Sequence, residues 1–320
     1  RKLFDKDISL TQSRIECFNE CAFKYYCKYV LGLDEGGAAC LRPAEVGTFI
    51  HAVLQNFVKQ TQGEGGFPID DSLIDSRCEE LIEKYREKVA PREDSTGYID
   101  YMFERLAKSV KLFARSLNGE FSQSAFVPYS FELPVGFSDD LPSEPTPLSN
   151  GHSMVVRGIV DRVDVMRQDS SVYIRVVDYK TGSKKFSLSD VMKGHNIQLL
   201  LYLFSLCNMP ADCSFAKKLA PAGERIVPAG AVYFSARPGD ILSDRALSKD
   251  ETEQFALDAI SRTGIVLGEE KIIRAMDREM NGKYAPAYMN AKGALKGTFV
   301  KTEEDFAPIK EALDGFLKEV

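Results

Sequence analysis

The chain has 320 residues, 44% of them hydrophobic and 28% charged, which describes an ordinary globular protein with room for one large domain or two small ones. A formal net charge of −6 argues against a free-standing nucleic-acid-binding module, because phosphate contacts need clustered Lys and Arg, but it does not exclude an enzyme with a locally basic site. No apolar run approaches the roughly 18 residues needed to cross a bilayer, and no signal peptide is recognisable, so we expect a cytoplasmic protein without membrane contact.

Residues 1–125 are predicted to form a mostly helical part. Its first helix has Ser9 or Thr11 as the N-cap and ends near Gly32, since glycine is typical of helix C-termini. The stretch VGTFIHAVLQNFVKQ repeats apolar residues at helical spacing and predicts a second helix, which contains His51. Residues 71–90 and 98–117 predict two more helices.

Residues 126–240 are predicted to form a β-rich core and residues 241–320 a C-terminal helical part, which together with 1–125 give one α/β (α+β) domain over 1–320. In the core, we expect a strand at 128–137, a proline-rich loop at 142–151, a helix at 188–207 and a strand at 230–236.

The stretch MVVRGIVDRVDVMRQDSSVYIRVVDYKTGSK, residues 154–184, predicts an antiparallel hairpin around a polar turn. Because alternate residues of a strand share a face, Asp161 lies on one face with β-branched residues, and Asp178 and Lys180 do the same on the second strand. The apolar neighbours that define these faces are Val155, Ile159, Val163 and Val165, and Val172, Ile174 and Val176. An unpaired carboxylate on an inward face costs several kcal/mol, so a positive charge must offset it.

Asp161, Asp178 and Lys180 together suit phosphodiester hydrolysis. Two carboxylates hold a hard cation such as Mg²⁺, which polarises the phosphate and lowers the pKa of a bound water. A lysine beside the cation orients that water or stabilises the developing negative charge. The alternative is a structural Asp–Lys salt bridge at the end of a sheet.

Other polar residues give weaker signals. His51 lies at the edge of an apolar helix stripe, where a packed or surface histidine is more common than a metal ligand. Gln198 and Tyr202 share one face of a helix, either as a functional pair or as a partly buried polar pair. Three further sites are interpreted as loop or solvated residues: His152, His195 and the Lys184-Lys185 pair.

Four of these elements occur in the order and spacing of the RecB-family PD-(D/E)xK nucleases, and the chain resembles that family. They are Gly47-x-x-x-His51, Gly158-Ile159-Val160-Asp161, Asp178-Tyr179-Lys180 and Gln198-x-x-x-Tyr202. The opening SLTQSRIECFNECAFKYYCKYVLGL, and GAVYFSARPGD and GIVLGEEKIIRAMD further on, are most similar to the AddB group, the second subunits of AddAB helicase–nucleases. The resemblance implies a restriction-endonuclease-like core with a mixed central sheet flanked by helices.

The resemblance also implies the roles of the site residues. His51, Asp161, Asp178 and the Tyr179 carbonyl would bind Mg²⁺, or Mn²⁺ in its place, and Lys180 would be the catalytic lysine. Gln198 and Tyr202 would support the active centre and the bound strand. Glu132, on the strand before the hairpin, lies either near the site or on the surface of its strand, and the surface position is the more common one for a strand glutamate.

In function, the resemblance implies exonuclease-type cleavage of a single DNA strand from an unwound duplex, during double-strand break repair and recombination. The translocating partner would be an AddA-like helicase–nuclease subunit, because this sequence has no Walker A motif and cannot power a motor itself. The alternative function is a non-catalytic DNA-binding or scaffolding module that keeps the nuclease fold.

Proteins of this type often hold a 4Fe–4S cluster on one cysteine before the nuclease motifs and three after them. Cys21 matches the first, but no cysteine follows Cys213. The odd number of cysteines, seven, favours reduced thiols. The start at Arg1 without Met suggests a piece of a longer protein. We therefore expect no cluster in this chain and a possible one, with Cys21 as a ligand, in a longer parent chain.

Overall fold

A computed structural model describes residues 7–33, 43–89, 97–143, 145–147, 153–180, 186–236 and 248–319. The helices are α1 (Gln12–Glu20), α2 (Ala22–Tyr25, continued by a π-helical turn over Tyr26–Val30), α3 (Pro43–Gly63), α4 (Asp71–Val89), α5 (Gly97–Phe121), α6 (Leu188–Val191), α7 (Gln198–Cys207), α8 (Ser214–Leu219), α9 (Lys249–Asp258), α10 (Glu270–Met276) and α11 (Glu303–Glu319). The strands are β1 (Asp7–Thr11), β2 (Val127–Val135), β3 (Thr146–Pro147), β4 (Ser153–Gln168), β5 (Ser171–Lys180), β6 (Arg225–Ala236), β7 (Ile260–Leu267), β8 (Ala287–Met289), β9 (Leu295–Gly297) and β10 (Val300–Lys301).

A mixed sheet forms the centre of the described chain, in the order β1-β4-β5-β6-β7-β10, with β2 and β3 also paired to β4. The β4–β5, β2–β4 and β6–β7 pairs are antiparallel, whereas β1–β4, β5–β6 and β7–β10 are parallel. Described strands from all three predicted parts of the chain join this one sheet. The predicted mixed sheet flanked by helices is confirmed.

Helices cover both faces of the sheet and create two apolar cores. On one face α3, α4 and α5 pack against Val177, Tyr179 and Phe234. On the other face α7 and α11 pack against apolar residues that include Val163 and Val176. None of the helices in the described ranges is long and apolar enough to span a membrane.

Several predicted boundaries were correct and others were wrong. The hairpin is confirmed, and its turn residues Asp169 and Ser170 both have positive φ, as a tight hairpin turn requires. The predicted helix over 188–207 is instead two helices, because Gly194 and Asn196 adopt φ of 76° and 56° between them. The segment 241–320 was predicted to be helical, yet it also contains the strands β7 to β10. The sequence of β7, ISRTGIVL, is rich in β-branched and apolar residues, which suits a buried strand.

The first predicted helix is also divided. Residues 7–11 form β1, Thr11 is the N-cap of α1, and α1 ends at Glu20 because Cys21 is extended, with φ −165° and ψ 112°. Cys17 is buried in α1, whereas Cys21 is exposed after the end of that helix.

A buried network of charges joins α5 to the sheet. Glu120 accepts hydrogen bonds from Arg175 at 2.6 Å and from Arg262 at 2.7 Å, and Asp164 accepts from Arg175 at 2.6 Å. Arg162 lies 2.8 Å from Asp164, and all five side chains are at most 6% exposed. Although burial alone would raise the pKa of Glu120, the three guanidinium groups lower it to about 2.

We predict that Glu120→Ala lowers the free energy of unfolding by about 3–5 kcal/mol, because it leaves buried arginines without a counter-charge. The matched control is Glu79→Ala, whose carboxylate is 67% exposed in its pair with Lys111 and should contribute at most about 1 kcal/mol. Urea denaturation at pH 7 measures both. Equal losses in the two variants would contradict a structural role for the network.

The same network predicts a dependence on pH. The folded-state pKa of Glu120, about 2, lies below its ordinary value of 4.5, so its ionised form stabilises the fold above pH 4.5. That contribution is lost as the pH falls from 4.5 towards 2. The difference in stability between the wild type and Glu120→Gln should therefore shrink in this range and be constant between pH 6 and 8.

Candidate active site

The side chains of β2 change face at Glu132, and two carboxylates lie there. Phe131 packs against the helices α3–α5, whereas Leu133, two residues later, lies in the opposite core. Between them Glu132 has φ 46°, a left-handed conformation that is uncommon for a residue with a side chain. Such conformations are costly and cluster at functional sites. Glu132 lies close to Asp161 of β4.

His51 of α3, Asp161 of β4 and the Tyr179 peptide of β5 meet at the same point. The Tyr179 N–H donates to Asp161 Oδ2 at 3.0 Å, and His51 Nε2 lies 2.8 Å from the Tyr179 carbonyl oxygen. His51 Nδ1 is 3.4 Å from Asp161 Oδ2. One donor atom each of His51, Glu132 and Asp161 lies within 4.8 Å of the others. Four donors, counting the Tyr179 carbonyl, therefore surround one small volume.

These donors fit a divalent cation. Carboxylates and a backbone carbonyl are the oxygen ligands that Mg²⁺ binds, and in an octahedron with bonds of about 2.1 Å adjacent ligands are about 3 Å apart. The separation of 2.8 Å between His51 Nε2 and the Tyr179 oxygen is close to that value. The imidazole is a softer donor than a carboxylate, which widens the choice to transition metals such as Mn²⁺.

Asp178 and Lys180 lie beside this group of donors. They are alternate residues on one face of β5, and Lys180 Nζ is 2.6 Å from Asp178 Oδ2. Asp178 is 3% exposed, and the side chain of Lys180 is 24% exposed. Asp178 is not among the three residues of the compact donor group in the described chain, so it adjoins the site from the side of the lysine.

The pKa values indicate an excess of negative charge at the site. Burial, and then the charge of Asp161, raise the pKa of Asp178 to about 6. Burial and Asp161 also raise the pKa of Glu132. Burial by itself would lower the pKa of His51, but hydrogen bonding and charge from Asp161 outweigh it and raise the pKa to about 9. In the absence of a cation the site therefore takes up protons, and a bound cation would displace them.

The Gln198-x-x-x-Tyr202 element lies against β4 rather than among the donor atoms. The Tyr202 hydroxyl is hydrogen-bonded to the Gln198 side chain and to the backbone of Ile159, and burial raises its pKa to about 12. A Cβ atom on Gly158 would overlap this hydroxyl. Gly158 is thus required for the close approach of α7 to the strand that carries Asp161.

A cleft of about 500 Å³ opens onto the site. Its lining residues are Gly47, Thr48, His51, Ala52, Gln55, Glu132, Tyr179 and Lys180. One wall is a face of α3 made mainly of small side chains, and the other is formed by residues of β2 and β5. The cleft therefore gives a substrate access to both the donor group and the lysine.

The structure brings most of the predicted site residues together. His51, Asp161 and the Tyr179 carbonyl converge, Asp178 and Lys180 adjoin them, and Gln198 and Tyr202 support β4. His195 lies half-buried in the turn before α7, away from the donor group. His152 and the Lys184-Lys185 pair lie outside the described residues.

Glu132 is exposed, as expected of a surface residue of the strand, yet it also lines the cleft and belongs to the donor group. The available signal was its carboxylate, which the antiparallel pairing of 128–137 with the hairpin places near Asp161. The face that Asp161 shares with Ile159 was expected to be inward, but Ile159 is 46% exposed.

Comparisons with known proteins agree with this geometry. A sequence model of the PD-(D/E)XK nuclease superfamily matches residues 9–314. The chain is 31% identical over 316 residues to the B-type subunit of the ATP-dependent helicase/deoxyribonuclease of Clostridium novyi (strain NT), covering 97% of this chain and 27% of that protein. It is 29% identical over 316 residues to the protein of the same name from Acetivibrio thermocellus, covering 96% of this chain and 26% of that protein. The chain thus spans about a quarter of the length of these relatives.

We predict that Gly158→Ala destabilises the fold by about 1–3 kcal/mol, because the added methyl group overlaps Tyr202. In a double-mutant cycle Gly158→Ala with Tyr202→Ala should lose less stability than the two single changes added together. The control is Gly47→Ala in α3, where a Cβ meets nothing within 4 Å, and which should gain up to about 1 kcal/mol of helix stability. Additive losses at 158 and 202 would contradict the close contact.

Proposed function

Because this chain belongs to the PD-(D/E)XK nuclease superfamily, we propose that it is a metal-dependent deoxyribonuclease that hydrolyses phosphodiester bonds of single-stranded DNA. The observation that carries the proposal is the convergence of His51, Asp161 and the Tyr179 carbonyl on one volume beside Lys180. A module that only binds DNA would have no need for clustered carboxylates whose pKa values are raised by burial and mutual repulsion.

We assign the following roles in metal binding and catalysis to residues of this chain. His51, Asp161, Glu132 and the Tyr179 carbonyl would hold the cation, and Asp178 would add a further carboxylate from the side of Lys180. When bound, Mg²⁺ or Mn²⁺ supplies Lewis-acid polarisation of the phosphate and a water of lowered pKa.

The ammonium of Lys180 lies at the cleft, where it orients the attacking water or stabilises the charge that develops on the phosphate. Its partner Asp178 holds it in place. The water oxygen forms the new bond to phosphorus as the bond to the leaving sugar oxygen breaks. The products are a phosphate monoester and a sugar hydroxyl.

The relatives' name supports a further part of the proposal, which concerns the complex. We place this chain as the nuclease portion of a helicase–nuclease subunit in the cytoplasm, where an AddA-like partner unwinds the duplex. This chain would then cut one of the released strands in DNA-end processing for double-strand break repair and recombination.

We predict that Asp178→Ala and Lys180→Ala each reduce Mg²⁺-dependent cleavage of a labelled single-stranded oligonucleotide by about 10²–10³-fold or more. Their controls are the exposed residues Asp212 and Lys296, whose alanine variants should cut as the wild type does. Circular dichroism verifies that each variant is folded. Undiminished cleavage by either site variant would reject the assignment of this site.

A second prediction concerns the metal itself. A cation that binds only the folded protein stabilises it by about 2.7 kcal/mol at a concentration of 100 times the dissociation constant. Mn²⁺ should therefore raise the unfolding temperature of the wild type and of His195→Ala equally, and that of His51→Ala or Asp161→Asn much less. The measurement is differential scanning fluorimetry without DNA. An equal Mn²⁺ shift in His51→Ala would exclude His51 as a ligand.

A further inference from the structure

The face of β2 and β4 next to the metal donors exposes apolar side chains. Pro134 of β2 pairs with Ile159 of β4, two residues along each strand from Glu132 and Asp161. Pro134 is exposed and Ile159 is 46% exposed. The opposite face of the same stretch is buried, because Val156 and Val160 lie in the core and Tyr202 covers Gly158. The exposed apolar pair is therefore continuous with the catalytic cleft.

An arginine and an aromatic ring follow this pair. Arg157 alternates with Ile159 and Asp161 along β4 and so lies on their face. Its guanidinium carbon is 5.9 Å from the centre of the Phe137 ring, and Phe137 is 53% exposed. Within the described residues Arg157 makes no ion pair, and its Nε atom has no hydrogen-bond partner. The guanidinium therefore has no counter-charge among the described residues, and its Nε atom is buried.

We propose that Pro134, Phe137, Arg157 and Ile159 form a track that holds the single strand next to the bond that is cut. Arg157 would bind a backbone phosphate, Phe137 would stack on a base, and Pro134 and Ile159 would pack against the intervening sugar. Stacking on aromatic rings together with cationic phosphate contacts is how proteins grip single strands without reading their sequence. This inference rests on the proposed nuclease function, because it needs a strand that ends in the cleft.

Charge and continuity favour a nucleic-acid strand over a protein partner. The chain is acidic overall, with a net charge of −6, yet the face beside the cleft carries an arginine that pairs with no carboxylate among the described residues. It lies at the side of a site that already has to bind a phosphodiester.

The positions of these residues determine how many nucleotides the track holds and whether it binds single or double strands. Arg157 lies four strand residues from Asp161, a distance of about 13 Å at roughly 3.3 Å per residue. That distance corresponds to about four nucleotides at a helical rise of about 3.4 Å, or fewer if the strand is extended. Phe137 can stack only on an unpaired base, so the track selects a single strand over a duplex.

The first experiment measures binding of a fluorescein-labelled oligonucleotide by anisotropy, in the Lys180→Ala background so that the strand stays intact. Phe137→Leu should weaken binding about 5- to 50-fold, whereas Phe137→Tyr keeps the ring and should bind as the parent does. Arg157→Gln should lower the slope of log affinity against log salt by about 0.7, the value for one phosphate contact on a single strand. The matched controls are Tyr288→Leu, 46% exposed, and Arg274→Gln, which is exposed and paired with Glu270.

The second experiment locates the stacked base. Oligonucleotides with a single abasic position, moved inward one nucleotide at a time from each end of the strand, should show, for one of the two ends, one position within the first four at which affinity falls. That loss should disappear in Phe137→Leu, because the ring that stacked on the base is already gone. A uniform abasic profile, or one that Phe137→Leu leaves unchanged, would overturn the track.

The outcomes separate this inference from the proposed function. If the wild type cleaves DNA in Mg²⁺ but the Phe137 and Arg157 variants bind like their controls, the track is wrong and the nuclease stands. If the wild type does not cleave but the Phe137-dependent abasic position remains, the strand binds here without being cut, and the nuclease function is rejected.

Discussion

The site depends on the backbone of Tyr179. Its N–H donates to Asp161 and its carbonyl oxygen lies against His51, so one residue joins β5, β4 and α3. The phenol of the same residue accepts a hydrogen bond from Arg162 at 2.6 Å within the buried charge network. A change in the packing of α5 on the sheet would therefore be transmitted to the metal donors through this one residue.

Two clusters of charged residues differ in whether their carboxylates face enough positive charge. That difference distinguishes a cluster that stabilises the fold from one that forms the candidate active site. Glu120 and Asp164 face three arginines, which keep the pKa of Glu120 low. This cluster stabilises the packing of α5 on the sheet. Among the described residues, Asp161, Asp178 and Glu132 have mainly Lys180 and His51 to balance them, and the pKa values of Asp178 and Glu132 rise. In the first cluster three guanidinium groups face two carboxylates, so it has no excess of negative charge, whereas the second would be stabilised by a cation from solution.

Much of this arrangement could be predicted from the sequence, because it follows from local pattern. The hairpin, the helix of His51 and the shared face of Asp178 and Lys180 each follow from periodicity within a dozen or so residues. The exposure of Ile159 and the placement of Glu132 could not be predicted in this way. Both accompany features that no local pattern indicates: the backbone of Glu132 is left-handed, and Tyr202 packs closely against Gly158 of β4. The break at Cys21 is likewise invisible in a sequence that reads as one continuous helix.

The central claim is that His51, Asp161 and the Tyr179 carbonyl are ligands of one divalent cation. Its most direct test is a crystal structure after soaking in Mn²⁺, with anomalous scattering to locate the metal. The account predicts a peak with a His51 ring nitrogen, an Asp161 oxygen and the Tyr179 carbonyl oxygen within about 2.0–2.4 Å. A peak that leaves His51 and Asp161 uncoordinated, or no peak between them at saturating Mn²⁺, would contradict it.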